Sequence, residues 1–495
     1  MKGVYPVAAV RAAEQAAFAV APQGVLMQRA ATALAVECAR LLRAQAGGVY
    51  GRTVVLLVGT GNNGGDALYA GADLARRGAR VHAELVDSAR AHAAGLAAFR
   101  AAGGRVGAPA VEADLVVDGL LGIGGRGGLT GRAAELAAAY EPIFTVAVDV
   151  PSGVDADTAA VGEAVVTAEV TVTFGCLKPG LVVGAGAAAA GYVRLVDIGL
   201  RLPVAETAVL EESDVRVLLP EPDVSSDKYT RGVVGVLAGS PEYPGAGVLA
   251  TGAAAHGGAG FVRYLGRAAD AVRAAHPEVV VQDGARPGEV RVQAWVVGPG
   301  LGTDDAARDL LAEALASDVP VLVDADGLTL LAADPVLLGQ LEDRTAPTVL
   351  TPHEREFVRV CPDAADLLVA DRLAAARAVA ADLGAIVLLK GNATIIATPE
   401  GQAYVNPTGT PWLGTAGTGD VLAGLIGSLL AASVPAPLAA AAGAYVHGVA
   451  GQLAAADGPP SSADVLTALR AAIHAITRAP AGPVSSRFRA ARSAP

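Results

Sequence analysis

The order of apolar and polar positions divides the chain into alternating strand-like and helical stretches. In the first half the continuous apolar run "TVVLLV" (residues 53–58) precedes "GTGNNGGD" and then "ALYAGADLARRG", which reads as helical. "DLVVD" (114–118) runs into a glycine-rich loop, and "FTVAVDV" (144–150) runs into "PSGVDADT". Short uninterrupted apolar strands separated by helices imply a parallel, doubly wound α/β sheet. Ligands of such sheets sit beyond the carboxyl ends of the strands, so these three loops are expected to converge on one crevice. The second half repeats the alternation with "GVVGVLAGS", "AWVVGPGLG", "VPVLVDADG", "TVLTPHE" and "AIVLLKGNATIIAT". It too reads as an α/β layer fold. The polar, proline-containing stretch "EESDVRVLLPEPDVSSDK" reads as the connector, giving expected domains at 1–210 and 211–478. The Pro-, Ser- and Arg-rich segment 479–495 is expected to be a disordered tail.

Composition narrows the function classes. A chain of 495 residues exceeds one ordinary core. The mean hydropathy of +0.45 comes from alanine and valine, and no strongly apolar run of membrane-spanning length occurs, so no membrane association is expected. Arg11 and Glu14 interrupt any signal-peptide core, and Cys38, Cys176 and Cys361 are scattered and odd in number, so the cytoplasm is the expected compartment. A net charge of −12 argues against nucleic-acid binding. Of 37 basic residues only Lys2, Lys178, Lys228 and Lys390 are lysine, and asparagine is confined to Asn62, Asn63, Asn392 and Asn406. Under a bias that favours arginine, a retained lysine points to a place where a compact, tunable point charge is needed. All of these except Lys2 and Asn406 fall inside the motifs below.

"GTAGTGDVLAG" (414–424) is a glycine-rich turn running into an apolar helix expected to begin near Val421, with an acid where a phosphate loop would carry lysine. Free backbone N–H groups at a helix start bind anions. An aspartate there fits a base that takes a proton from a hydroxyl attacking a phosphoryl group. The alternative makes Asp420 the helix N-cap. Lys390, at the end of an apolar strand, fits a phosphate partner, although "KGNAT" also reads as a hairpin turn. Asp324 and Asp326 in "DADG" fit Mg²⁺ ligands or ordinary turn chemistry.

Six stretches in order, "SSDKYTRGVVGVLAGSPEYPGAG", "VVGPGLG", "VLVDADGL", "LTPHEREF", "VLLKGNATIIA" and "GTAGTGDVLAG", make residues 225–475 resemble the ribokinase-like NAD(P)H-hydrate dehydratases. The resemblance implies phosphorylation of the C6 hydroxyl of hydrated NADH or NADPH by ADP with Mg²⁺, followed by loss of phosphate. It implies Asp420 as the base and Gly419 in the anion hole. It places Lys390, Gly391, Asn392, Ala393 and Thr394 at the nucleotide, and Ala246, Gly302 and His353 along the hydrate. Arg355 stands before Glu356 where the family pattern has glycine.

Residues 1–210 resemble the NAD(P)H-hydrate epimerase domain through "GNNGGD", "VVDGLLGIGGRGGLTG", "VAVDVPSGVDADT" and "VTFGCLKPGL", a Rossmann-like sheet, with Ala67 in place of the usual glycine. The resemblance implies hydrate contacts from Asn62, Asn63, Gly64, Gly65 and Asp66, and phosphate contacts from Gly122, Ile123, Gly124, Gly125, Arg126, Gly127 and Gly128. It implies K⁺ held by Asn63, Asp118 and Ser152. Asp149 and Lys178 become the acid/base pair that inverts C6, with Asp155 and Asp157 as plain loop residues. The expectation is a bifunctional repair enzyme and a homo-oligomer, with no nucleic-acid partner. The competing reading is a sugar or vitamin kinase of the same fold with a regulatory first domain.

Overall fold

The computed structural model describes residues 1–19, 22 and 24–478. The tail expected at 479–495 lies outside the described residues. The chain divides into two compact units, Lys2–Glu206 and a second from Thr207 onward.

In the first unit seven strands form one sheet in the order Arg105–Val106, Arg80–Leu85, Thr53–Val58, Leu115–Gly119, Thr145–Val148, Val170–Phe174 and Tyr192–Val196. All neighbours are parallel. Thr53–Val58, Leu115–Gly119 and Thr145–Val148 are buried along their whole length, which is why their sequences are apolar without alternation. From Thr53–Val58 the chain first builds outward to Arg80–Leu85 and then returns to add Leu115–Gly119 on the other side. That reversal opens a crevice between the two strand ends that carry "GTGNNGGD" and "GLLGIGG".

In the second unit the strand order is Thr207–Val209, Ala403–Asn406, Thr394–Ala397, Ile386–Leu389, Thr348–Leu350, Val321–Val323, Ala294–Val297, Val233–Leu237, Phe261–Tyr264 and Val280–Val281. The strands from Ile386–Leu389 to Val280–Val281 are parallel. Ile386–Leu389, Thr394–Ala397 and Ala403–Asn406 pair antiparallel, so "KGNA" is a hairpin turn. The largely apolar helix Thr418–Ala431 is almost wholly buried and packs on helix Pro244–His256. The two backbones approach so closely at Gly424 that a Cβ there would sit 2.0 Å from the Ala250 carbonyl oxygen. The motif's last glycine therefore serves packing, and its first ones serve the site.

Candidate functional site

In the first unit, helix Asn62–Arg76 starts at the end of Thr53–Val58 and brings Asn62, Asn63 and Asp66 to a cavity of about 1090 Å³. Gly122, Ile123, Gly124, Gly125, Asp149 and Lys178 line it as well. Gly64 and Gly65 do not line it. They let the helix start pack against the Gly59 carbonyl and the His92 ring. Arg126, Gly127 and Gly128 also fall outside the lining, and Gly128 is packed against Gly162. Only the first part of the expected phosphate loop therefore faces the cavity. Ala67 packs its methyl on Gly119 and leaves the helix start intact.

Asp149 holds a left-handed backbone, φ 64°, at the turn after Thr145–Val148. Its Oδ1 accepts hydrogen bonds from Lys178 Nζ at 2.5 Å, Thr173 Oγ1 at 3.0 Å and the Phe174 N–H at 3.2 Å. The fully buried Lys178 also donates to Thr173 Oγ1 at 2.9 Å and to the Phe174 carbonyl at 3.1 Å. All three ammonium hydrogens are thus engaged. Strain in a non-glycine residue, held by this many bonds, is typical of a position fixed for chemistry.

Asn63 and Ser152 share the Leu121 carbonyl, and Ser152 is bonded to Asp118. Ser152 Oγ donates to Asp118 Oδ1 at 2.6 Å, the Ser152 N–H donates to Oδ2 at 2.8 Å, and Asn63 Nδ2 donates to the Leu121 carbonyl at 2.9 Å. Burial pushes the Asp118 carboxyl up to about 6 despite these bonds.

Two residues that the sequence offered only as interruptions of a signal-peptide core belong to the same cavity. Helix Val7–Phe18 buries Val7, Val10 and Ala13 and puts Arg11 and Glu14 into the lining. A Cβ on Gly124 would lie 3.7 Å from the Arg11 guanidinium, so this cation hangs over the glycine loop. Burial, and then the Asp149 carboxylate, raise the pKa of Glu14. Burial, Asp149 and Glu14 raise Asp66 well above the usual range, and among the described residues Asp66 Oδ1 has no hydrogen-bond partner. Asp157, read as a loop residue, accepts from the Val7 N–H at 2.7 Å and so anchors the helix. The available signal was the spacing of Arg11 and Glu14, one turn apart in an alanine-rich helix.

In the second unit, a cavity of about 650 Å³ is lined by Asp324, His353, Glu356, Lys390, Gly391, Asn392, Thr394, Gly419 and Asp420 among others. Ala393, Ala246 and Gly302 do not line it. The Gly302 N–H donates to Asp326 Oδ2 at 2.9 Å, so Asp326 holds that loop. The hairpin and site readings of "KGNAT" are both true, since the turn puts Lys390 at the cavity. Lys390 Nζ donates to buried Asp324 Oδ1 at 2.7 Å and lies 3.6 Å from Glu356 Oε2. Burial alone would lower the Lys390 pKa, but Asp324, Glu356 and Asp420 together raise it.

The helix starts at Thr418, three residues earlier than expected, because Gly417 takes the left-handed conformation, φ 89°, that turns the chain into it. Asp420 therefore lies inside the first turn and is not the N-cap. Burial first, and then Asp324, raise its pKa to about 7, with Lys390 opposing. A Cβ on Gly419 would lie 3.5 Å from Lys390 Nζ, so glycine keeps the approach to the helix start open. His353 caps helix Glu354–Val360, its Nδ1 accepting from the Arg355 and Glu356 N–H groups at 3.1 Å, while Glu356 accepts from the His353 N–H at 2.8 Å. Arg355 meets this cap through its backbone and needs no glycine.

A family model described as NAD(P)H-hydrate dehydratase matches residues 234–473, and one described as YjeF-related protein N-terminus matches residues 23–180. The chain is 50% identical over 471 residues to the bifunctional NAD(P)H-hydrate repair enzyme Nnr of Mycobacterium leprae, with 94% of this chain and 97% of that one covered. The chain belongs to the bifunctional NAD(P)H-hydrate repair enzymes. The enzyme of that name from Mycobacterium tuberculosis is 50% identical over 439 residues, covering 88% and 90% of the two chains. Among solved structures, a ribokinase-like superfamily protein from Enterococcus faecalis matches with a TM-score of 0.50 and 25% identity, over 56% of this chain and 99% of that one. The family expected from the motifs is the family found. Among the described residues no helix is long and apolar enough to cross a membrane, and no cluster of three or more His, Cys, Asp or Glu side chains could hold a metal ion.

Proposed function

We propose that the chain is a bifunctional metabolite-repair enzyme: the first unit interconverts the R and S hydrates of NADH and NADPH, and the second dehydrates the S form using ADP. The observation that carries the reading is Asp420, a carboxyl poised near neutrality in the first turn of a glycine-led helix, beside the Lys390–Asp324 pair. Asp420 takes the proton of the C6 hydroxyl as its oxygen attacks the terminal phosphorus of ADP and AMP departs. Lys390 and the helix N–H groups hold the transferring phosphoryl group. Phosphate then leaves C6, a proton leaves C5, and the ring double bond returns. Asp324 and Glu356 are the carboxylates placed to meet Mg²⁺ arriving with the nucleotide; Mg²⁺ commonly uses one or two carboxylates plus phosphate oxygens. Bound there, the ion would neutralise phosphate charge.

Epimerisation needs the C6–O bond to break toward a planar carbon and water to add on the other face. The Asp149–Lys178 unit, joined by the bond from Lys178 Nζ to Asp149 Oδ1, supplies and recovers the proton. Asn63, Asp118 and Ser152 with the Leu121 carbonyl are hard oxygen donors carrying one buried carboxylate, a set that suits a monovalent cation such as K⁺. Its charge would relieve the buried Asp118 carboxylate. Thermal melting is therefore expected to rise in K⁺ relative to Li⁺, and Asp118→Asn to lose that difference. Identical melting of the unaltered protein in both salts would remove the cation from the proposal.

The whole reading is tested by the return of dihydronicotinamide absorbance from an equilibrated mixture of R and S hydrates supplied with Mg²⁺, K⁺ and ADP. Complete, ADP-dependent recovery, faster than spontaneous epimerisation permits, is expected. A stop after the S fraction would remove the epimerase, and no recovery with either ADP or ATP would turn the reading to a small-molecule kinase.

A further inference from the structure

The first cavity holds a carboxyl that neither the cation set nor the Asp149–Lys178 pair engages. Glu14 lies on helix Val7–Phe18, whose Val7, Val10 and Ala13 are buried, and it lines the cavity together with Asp149 and Lys178. Two ties set the start of this helix. The Tyr5 N–H donates to the Leu177 carbonyl at 2.9 Å, and the Val7 N–H donates to Asp157 Oδ1 at 2.7 Å. Leu177 directly precedes Lys178, so the backbone that carries the lysine also fixes the helix that carries Glu14.

Among the described residues no hydrogen bond or salt bridge holds the Glu14 carboxyl. Lys178 is already spent on Asp149, Thr173 and the Phe174 carbonyl. Glu14 therefore shares the cavity of the pair without being bonded into it. Burial first, and then the Asp149 carboxylate, raise its pKa, with Lys178 and Arg11 opposing. Such a carboxyl holds a proton more readily than an exposed glutamate and can still release it, as a group that alternates between acid and base must. The other titratable side chains of the lining are less free to do so. Asp66 Oδ1 is shut away from solvent, and burial, Asp149 and Glu14 all favour its protonated form. His92 Nδ1 accepts from the Gly95 N–H at 3.0 Å, and its ring meets Tyr69 edge-on. Arg11 has no proton to lend.

Inversion at C6 takes two proton carriers. The hydroxyl leaves as water when an acid protonates it, the C6–O bond breaks, and the N1 lone pair forms the N1=C6 bond. Water then adds to the other face of the planar carbon, returns that electron pair to N1 and gives a proton to a base. In the reverse direction the acid and the base exchange roles. One group fixed at one face cannot serve both unless the ring turns over in the site.

We propose that Glu14 is the proton carrier for one face of C6 and the Asp149–Lys178 unit the carrier for the other, so that each leaving and each entering oxygen meets its own group. This rests on the reading of the first cavity as the epimerase site.

The test follows two quantities in the full-length protein with K⁺ and without nucleotide: exchange between R and S hydrates by chromatography, and uptake of heavy oxygen from labelled water into each epimer by mass spectrometry. Glu14→Gln keeps the shape of the side chain and is expected to lower exchange between the epimers by ~10²-fold or more. Heavy oxygen should still enter one epimer with retention, the one whose hydroxyl faces Asp149–Lys178, because loss and return of water on that face need only the surviving carrier. Asp149→Asn should confine label uptake to the opposite epimer. Glu14→Asp, which keeps a carboxyl on a shorter stem, should recover part of what Glu14→Gln loses. Unchanged epimerisation in Glu14→Gln, or label uptake that survives in both epimers or in neither while the variant melts like the unaltered protein, would overturn the assignment. Absence of any epimerisation above the spontaneous rate in the unaltered protein would instead overturn the epimerase site itself.

Discussion

Asp420→Asn is expected to lower the dehydration rate by roughly two to four orders of magnitude while ADP still binds, the usual loss when a general base is removed. The substitution keeps the shape of the side chain in the first turn and leaves the Lys390–Asp324 pair in place, so the anion site survives. The effect has a pH signature. With its carboxyl near 7, Asp420 must lose its proton to act, so kcat/KM for dehydration should fall as pH drops through about 7. That limb should be absent from the residual activity of the variant. Stability should move the other way. The folded carboxyl lies above its ordinary value of 3.8, so the folded state binds the proton more tightly than the unfolded chain does. The native form is thus progressively destabilised as pH rises from about 4 to about 7. Asparagine escapes this, so the variant's gain in Tm should grow across that window and level off above it. Wild-type turnover in Asp420→Asn would remove the residue from the mechanism, and a Tm gain confined to acid would contradict the burial argument.

Asp149→Asn should lower epimerisation by ~10²-fold or more, with dehydration of pure S-hydrate unchanged. Asparagine is the informative replacement because it tolerates the left-handed backbone that Asp149 adopts, whereas alanine would add strain to the loss of charge. The change also leaves Lys178 buried with two of its three partners, so an effect on folding must be separated by melting. The decisive measurement is the rate of exchange between R and S hydrates by chromatography, without nucleotide. An unchanged rate would mean that the strained aspartate serves structure alone.

Much of this was legible in the sequence because local patterns carried it. Strands such as Thr53–Val58 and Leu115–Gly119 are apolar on both faces only because both faces are covered, so their runs announced a parallel sheet, and the loops after them announced the crevice. The scarcity of lysine pointed at Lys178 and Lys390, and each proves to be paired with an aspartate at a cavity. Glycine motifs and their order along the chain fixed the family.

What tertiary structure alone decided is everything that depends on distance between remote residues. Asp420 could be the helix N-cap until the left-handed Gly417 set the helix start, and burial beside Asp324 set its proton affinity. Glu14 reads as one polar residue in an alanine helix, and only the fold brings it near Asp149, far along the chain. A sequence pattern records which face of an element is buried. The free energy of a proton or a lone pair depends on what stands across the cavity from it, and that is set by packing between elements.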